Sequence, residues 1–215
     1  MLAPLYPILD IDLLAARSLD VASIATVWHA AGVTLVQYRN KRGSAREMLR
    51  DAARIREIFP TSGEARLVFN DRPDLALLAG FDGVHVGQGD ISAEGARKIV
   101  GATRWVGVST NSAEQVMEAD KTDCDYIAYG PIFPTASKIN PDPTVGLAGL
   151  RAARALTSKP LVAIGGITRR NGRSVFDAGA DSLAVISDVL PDGNNGNSDG
   201  ESARQIIEEF LAVLA

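Results

Sequence analysis

Eight short, almost continuously apolar runs recur along the chain, and each stops at glycine or polar residues. They are LYPILD (5–10), VTLVQYRNK (33–41), RLVFND (66–71), GVHVGQGD (83–90), RWVGVST (104–110), YIAYGPIFPTASK (126–138), PLVAIGG (160–166) and SLAVIS (182–187). Runs rich in Val, Ile and aromatic residues are what parallel strands covered on both faces require. Helical periodicity fills the intervals. Met48, Ala52, Ile55 and Phe59 share a face behind a Ser44 cap with Glu47 three residues on, and Ser112 with Gln115 repeats that start signal. Further helices are expected over 147–157, 170–179 and 203–214, the last with Ile206, Ile207, Phe210, Leu211 and Leu214 on one side. Strand and helix alternating eight times is the pattern of an α/β chain closed into a (β/α)8 TIM barrel. A doubly wound open sheet alternates in the same way, but no G-x-G-x-x-G follows the first strand, and eight regular units suit closure better.

With 215 residues, 46% of them hydrophobic, the chain supplies one substantial core, so a single domain over 1–215 is expected. The turn formers of PDGNNGNSDG (191–200) mark a flexible loop between the eighth strand and the last helix. The net charge of −4 comes from 22 basic and 26 acidic residues in mixed order, which argues against a nucleic-acid or membrane-surface partner. Cys124 is the single cysteine, so an internal disulfide and a multi-thiolate metal site are both excluded, and it is expected to be a buried small hydrophobe in a strand-like stretch. MLAPLYPILD lacks the charged and apolar regions of a leader, and no run reaches the roughly 20 apolar residues that span a bilayer. A soluble, cytoplasmic protein acting on small molecules is expected, with self-association into a homo-oligomer left open.

In such a barrel the residues just after each strand form one rim, where the active site lies. Arg39 and Lys41 close the second strand as two cations suited to a phosphate or diphosphate, or to an ordinary solvated loop. Asn70 and Asp71 follow the third strand and Asp90 the fourth; two carboxylates with an amide beside them suit Mg²⁺, although Asp71 also suits the cap of a helix starting near Pro73. GPIFPTASK supplies Thr135, Ser137 and Lys138 on a loop stiffened by prolines, an anion-binding lid by composition. Gly165 and Gly166 after the seventh strand, with the 186–187 backbone and Ser187 after the eighth, suit a second phosphate, while a Gly-Gly pair also serves a plain tight turn. His85 is expected to be a hydrogen-bonded interior residue and His29 a surface one. Two anion pockets imply two phosphorylated substrates, or one substrate with two phosphate groups.

The motifs VQYRNK, FNDRPDLAL, GVHVGQGD, GVST, YGPIFPTASK, AIGGI and AVIS, in this order, resemble the thiamine-phosphate synthase family over residues 33–188. The resemblance implies a transferase that joins hydroxymethylpyrimidine diphosphate to a phosphorylated thiazole alcohol through a pyrimidine cation, releasing diphosphate. It implies that Gln37, Arg39, Lys41, Asn70, Ser109 and Lys138 hold the diphosphate, with Arg39, Lys41, Ser109 and Lys138 assisting its departure. It further implies Mg²⁺ on Asp71 and Asp90, and the thiazole phosphate on Thr135, Ser137, Gly166, Ile186 and Ser187. The chain departs from the family pattern at four places: Asn40 for a glutamate, Gly89 for an acidic residue, Asn111 for a histidine and Ser137 for a threonine. A thiazole tautomerase on the same barrel and a non-catalytic phosphate-ligand binder are the alternatives. The tautomerase would not need the full set of Arg39, Lys41, Asn70, Asp71, Asp90 and Lys138, and decay to a binder should first remove the metal ligands, which are present.

Overall fold

Eight strands pair in parallel in chain order, and the eighth returns to the first, so the sheet closes. They are β1 (Leu5–Asp10), β2 (Leu35–Arg39), β3 (Arg66–Asn70), β4 (Gly83–Val86), β5 (Trp105–Thr110), β6 (Tyr126–Tyr129), β7 (Leu161–Ile164) and β8 (Ser182–Val185). The computed structural model describes residues 2–135, 143–192 and 199–214, and the side chains of all of these but 199–201. Around the sheet lie α1 (Ile11–Ala16), α2 (Val21–Ala30), α3 (Ala45–Ile58), α4 (Pro73–Leu78), α5 (Ala93–Val100), α6 (Ala113–Asp120), α7 (Gly146–Arg154), α8 (Gly172–Asp177) and α9 (Asp199–Leu214). A 3₁₀ turn, Ser187–Val189, precedes α9.

The expected alternation holds, with local differences. One more helix than expected, α1, starts directly at the end of β1, because the Asp10 carboxylate accepts from the Leu13 N–H and caps it. The strands β2, β3, β4 and β7 stop short of their polar tails, whereas β1 and β5 run to Asp10 and Thr110. Ser44 and Glu47 form a complete capping box, whereas Ser112 only receives the Gln115 N–H, and the Gln115 side-chain oxygen turns to the Asn111 N–H. Cys124 is buried, two residues ahead of β6 rather than in a strand, with its thiol 3.3 Å from the Ala119 carbonyl. Residues 193–198, the centre of the expected 191–200 loop, lie outside the described residues. Among the described residues no helix is long and apolar enough to cross a membrane.

Strand alternation sorts the core into two layers. Tyr6, Ile8, Leu35, Val68, Tyr126, Ala128, Val162 and Ala184 pack together inside the barrel. Their neighbours in sequence, including Leu5, Leu9, Val36, Leu67, Phe69, Ile127, Leu161 and Leu183, join the layer beneath the helices. Asp10, Gln37, Arg39, Asn70, His85 and Ser109 continue the inward series toward the C-terminal strand ends. The register sets Asp10 beside Arg39, Asn70 beside His85 and His85 beside Gly107. Period-two geometry thus collects polar side chains at one mouth of an otherwise apolar interior.

The opposite mouth carries a clamp repeated three times. Asp82 accepts the Leu67 N–H (2.9 Å) and an Arg56 guanidinium hydrogen (2.9 Å). Asp125 does the same for Val106 (2.6 Å) and Arg97, and Asp181 for Leu161 (2.7 Å) and Arg154 (2.8 Å). Each aspartate stands just before β4, β6 or β8, and each arginine comes from α3, α5 or α7. The arginines also donate to carbonyls of the loop after their own helix: Phe59, Gly101 and Arg104, Thr157 and Lys159. Charge-assisted hydrogen bonds of this kind tie helix, loop and two strands into one unit.

Candidate active site

At the C-terminal mouth, the two cations expected after β2 are each already held by a carboxylate. Arg39 donates to Asp10, which is almost fully buried, and the exposed Lys41 donates to Asp71. Asp10 was not singled out from the sequence, although its place in LYPILD is in phase with the other inward residues. Asp71 sits at φ 64°, its N–H donating to the His85 carbonyl at 2.8 Å. It does not cap α4: Arg72 occupies that position without a side-chain cap, and Pro73 begins the helix. Asp71 is therefore available to the rim. Asp90 is exposed after β4, with one carboxylate oxygen receiving the Gly87 N–H at 2.8 Å.

Asp71 and Asp90 lie close enough for Asp90 to act on the Asp71 carboxyl. Burial, the largest influence, and Asp90 raise the Asp71 carboxyl above its usual range against the opposing pull of Lys41. Among the described residues no group of three or more metal-type side chains occurs. Two adjacent carboxylates, oxygen donors carrying like charge, fit Mg²⁺, which takes one or two carboxylates and fills its remaining positions with water and substrate oxygens. Beside them Asn70 is buried, and its Nδ2 has no hydrogen-bond partner among the described residues. A buried amide donor left unpaired at such a place suits an anionic acceptor.

Behind this cluster runs a buried series of hydrogen bonds. Gln37 Nε2 donates to Tyr6 Oη (3.0 Å), Tyr6 Oη meets Tyr126 Oη (2.9 Å), Tyr126 Oη meets His85 Nδ1 (3.1 Å), and His85 Nε2 meets Ser109 Oγ (2.7 Å). His85 is the interior, hydrogen-bonded residue expected, and His29 is exposed. Burial pushes the His85 imidazole down to about 4, so the ring is neutral at physiological pH. Gln88 Nε2 donates to the Ser109 carbonyl at 2.6 Å and ties the β4 loop to β5. Nothing in the local sequence pattern separates Tyr6, Tyr126 and Gln88 from ordinary core and loop residues.

The other half of the mouth is built by the loops after β6, β7 and β8. The Ile132 and Phe133 N–H groups donate to the Ile164 and Gly165 carbonyls at 2.9 and 3.0 Å, so the chain after β6 lies against the end of β7. Gly165 and Gly166 have φ of 101° and 63°. A Cβ on Gly165 would stand 2.5 Å from the Pro131 Cβ, and one on Gly166 2.6 Å from the Pro134 carbonyl oxygen. The glycine pair is thus required by the turn and by loop packing together. The amides of Gly166, Ile186 and Ser187 lie at neighbouring strand ends, and Asn171 holds the Gly166 carbonyl at 3.0 Å. Thr135 closes this described stretch; Ser137 and Lys138 lie outside the described residues.

The chain is similar to known proteins of one family. The family model described as Thiamine monophosphate synthase matches residues 5–189. A thiamine-phosphate synthase of Koribacter versatilis is 55% identical over 98% of this chain and 95% of its own length. One from Chlorobium phaeovibrioides is 45% identical over 74% of this chain and 75% of its own length. The solved thiamine phosphate pyrophosphorylase of Pyrococcus furiosus superposes with a TM-score of 0.81 at 33% identity, covering 98% of this chain and 94% of that one. A 3-hexulose-6-phosphate synthase, at 17% identity and TM-score 0.68, shares the fold alone.

Proposed function

The chain belongs to the thiamine monophosphate synthase family and is a transferase of thiamine biosynthesis that forms thiamine phosphate, and from this premise we propose how its residues divide the reaction. Gln37, Arg39, Lys41, Asn70, Ser109 and Lys138 bind the diphosphate of the hydroxymethylpyrimidine substrate. Thr135, Ser137, the amides of Gly166, Ile186 and Ser187 and the Ser187 hydroxyl bind the phosphate of the thiazole. The observation that carries this division is the gathering of the Arg39, Lys41, Asp71 and Asp90 side chains and the unpaired Asn70 amide on one half of the mouth, with the glycine-lined strand ends on the other.

Asp71 and Asp90 would hold Mg²⁺, which when bound neutralises charge on the leaving diphosphate. Arg39, Lys41 and Ser109 donate to diphosphate oxygens as the bond from methylene carbon to oxygen breaks and its electron pair leaves with the diphosphate. Asp10 keeps Arg39 aimed along the rim. The aminopyrimidine ring stabilises the methylene cation, and the thiazole nitrogen lone pair forms the new carbon–nitrogen bond. That nitrogen carries no hydrogen, so no general base is required, in keeping with a neutral, buried His85. A loop over 131–143 that orders on the substrates and keeps water from the cation is the expectation, and its central residues 136–142 lie outside the described residues. The cytoplasm, where both phosphorylated substrates would be retained, is the proposed location.

The test is direct: purified protein with both substrates and Mg²⁺, thiamine phosphate detected as its fluorescent oxidation product, with and without EDTA. Metal-dependent product is expected. In the same assay Asp71→Ala should abolish turnover, whereas Ser187→Ala should chiefly raise KM for the thiazole phosphate. Product formation unaffected by EDTA would refute the role given to Asp71 and Asp90.

A further inference from the structure

We infer that Gln37, Tyr6, Tyr126 and His85 form a positioning device that fixes the direction of the Ser109 hydroxyl, so that Ser109 gives its hydrogen to the leaving diphosphate. This rests on the assignment of Ser109 to the diphosphate pocket made above. Tyr6 Oη has two neighbours, and Gln37 Nε2 can only donate to it, so the Tyr6 hydrogen must go to Tyr126 Oη. Tyr126 then gives its own hydrogen to His85 Nδ1. A neutral imidazole with Nδ1 bare carries its hydrogen on Nε2, and that hydrogen goes to Ser109 Oγ. The Ser109 hydrogen is left for an acceptor in the mouth of the barrel.

The opposite direction would strand the Tyr6 hydrogen. Tyr6 and Tyr126 are each 1% exposed, and among the described residues no other acceptor reaches the Tyr6 hydroxyl. The surroundings hold the series in place. A Cβ on Gly107 would fall 2.0 Å from Tyr126 Cζ, so the glycine of GVST makes the room that the Tyr126 ring fills. That ring stacks on His85 with 5.6 Å between centroids and meets Tyr6 edge-on at 6.1 Å. A hydroxyl oriented beforehand needs no reorganisation when charge develops on the departing oxygen, whereas a lone pair aimed at the same place would repel it.

The chain has two histidines, His29 exposed and His85 buried, so ¹⁵N-histidine labelling, with a His29→Gln variant to assign the signals, reads the His85 ring directly. A long-range ¹H–¹⁵N spectrum of the wild-type protein should show His85 as the Nε2–H tautomer; the Nδ1–H tautomer would overturn the inference. In kinetics, Tyr126→Phe should lower kcat about tenfold with KM for the thiazole phosphate unmoved, and should cost nothing further in a Ser109→Ala background. Equal losses in both backgrounds would show that Tyr126 acts other than through Ser109 and would also overturn it. Full kcat in Ser109→Ala alone would remove Ser109 from the diphosphate pocket, a failure of the underlying assignment that the tautomer does not share. The wild-type spectrum decides the direction even where Tyr126→Phe does not fold.

Discussion

Asp71 is the residue at which stability and chemistry meet. Its carboxyl is raised by burial and by Asp90, so in the cation-free protein the native state favours its protonated form. Keeping it ionised near neutrality therefore costs folding free energy, and that cost is relieved as the pH falls through the raised value. A divalent cation relieves the same cost at neutral pH by taking the place of the proton. The increase in Tm produced by Mg²⁺ should accordingly be largest near neutrality and shrink as the pH approaches the carboxylate range; calorimetry showing a pH-independent increase would contradict this. Gly89 offers a complementary residue-scale prediction. A Cβ there meets nothing within 4 Å, so glycine is not demanded by space. Gly89→Asp should add a carboxylate beside Asp90 and lower the Mg²⁺ concentration for half-maximal rate about threefold, measured by metal titration of the initial rate.

At the scale of elements, the three Asp–Arg clamps show what sequence patterns carry and what they do not. The alternation of apolar runs with amphipathic segments was enough for the barrel, because each strand is buried on both faces and each helix on one. The rim residues were legible because parallel closure leaves every strand end on one side. Asp82, Asp125 and Asp181 were not, though each stands immediately ahead of a strand in FDGV, CDYI and ADSL. Their partners lie 26 to 28 residues away on a preceding helix, a separation that no local period reveals. Arg39 and Lys41 were legible as cations, but their pairing with Asp10 and Asp71 follows only from strand adjacency. Asp125→Ala should leave the Val106 N–H and one guanidinium edge without an acceptor and destabilise the protein by about 2 kcal/mol. Urea unfolding should report that loss while kcat and KM stay at wild-type values. An unchanged unfolding midpoint would mean that Arg97 holds its loop through the carbonyls and Asp123 without Asp125.

The whole molecule divides these tasks between its two mouths. The N-terminal mouth pairs each of the three clamp aspartates with an arginine and a strand N–H, whereas the C-terminal mouth gathers like charges and an unpaired buried amide. The second arrangement is what a site for a cation and a polyanion must tolerate when neither is bound. Removing one of its negative charges should therefore help the fold and harm the reaction. Asp90→Asn retains a side-chain oxygen that can receive the Gly87 N–H, so the loop after β4 keeps its turn. In the absence of metal its Tm should equal or exceed that of the wild type, while thiamine phosphate formation falls by a factor of about 100. Mg²⁺ with inorganic diphosphate should raise the Tm of the wild type and leave that of the variant nearly unmoved. A variant that loses stability without ligands would place Asp90 among the structural aspartates of the clamps; one that loses activity alone would place it with Asp71 at the working mouth.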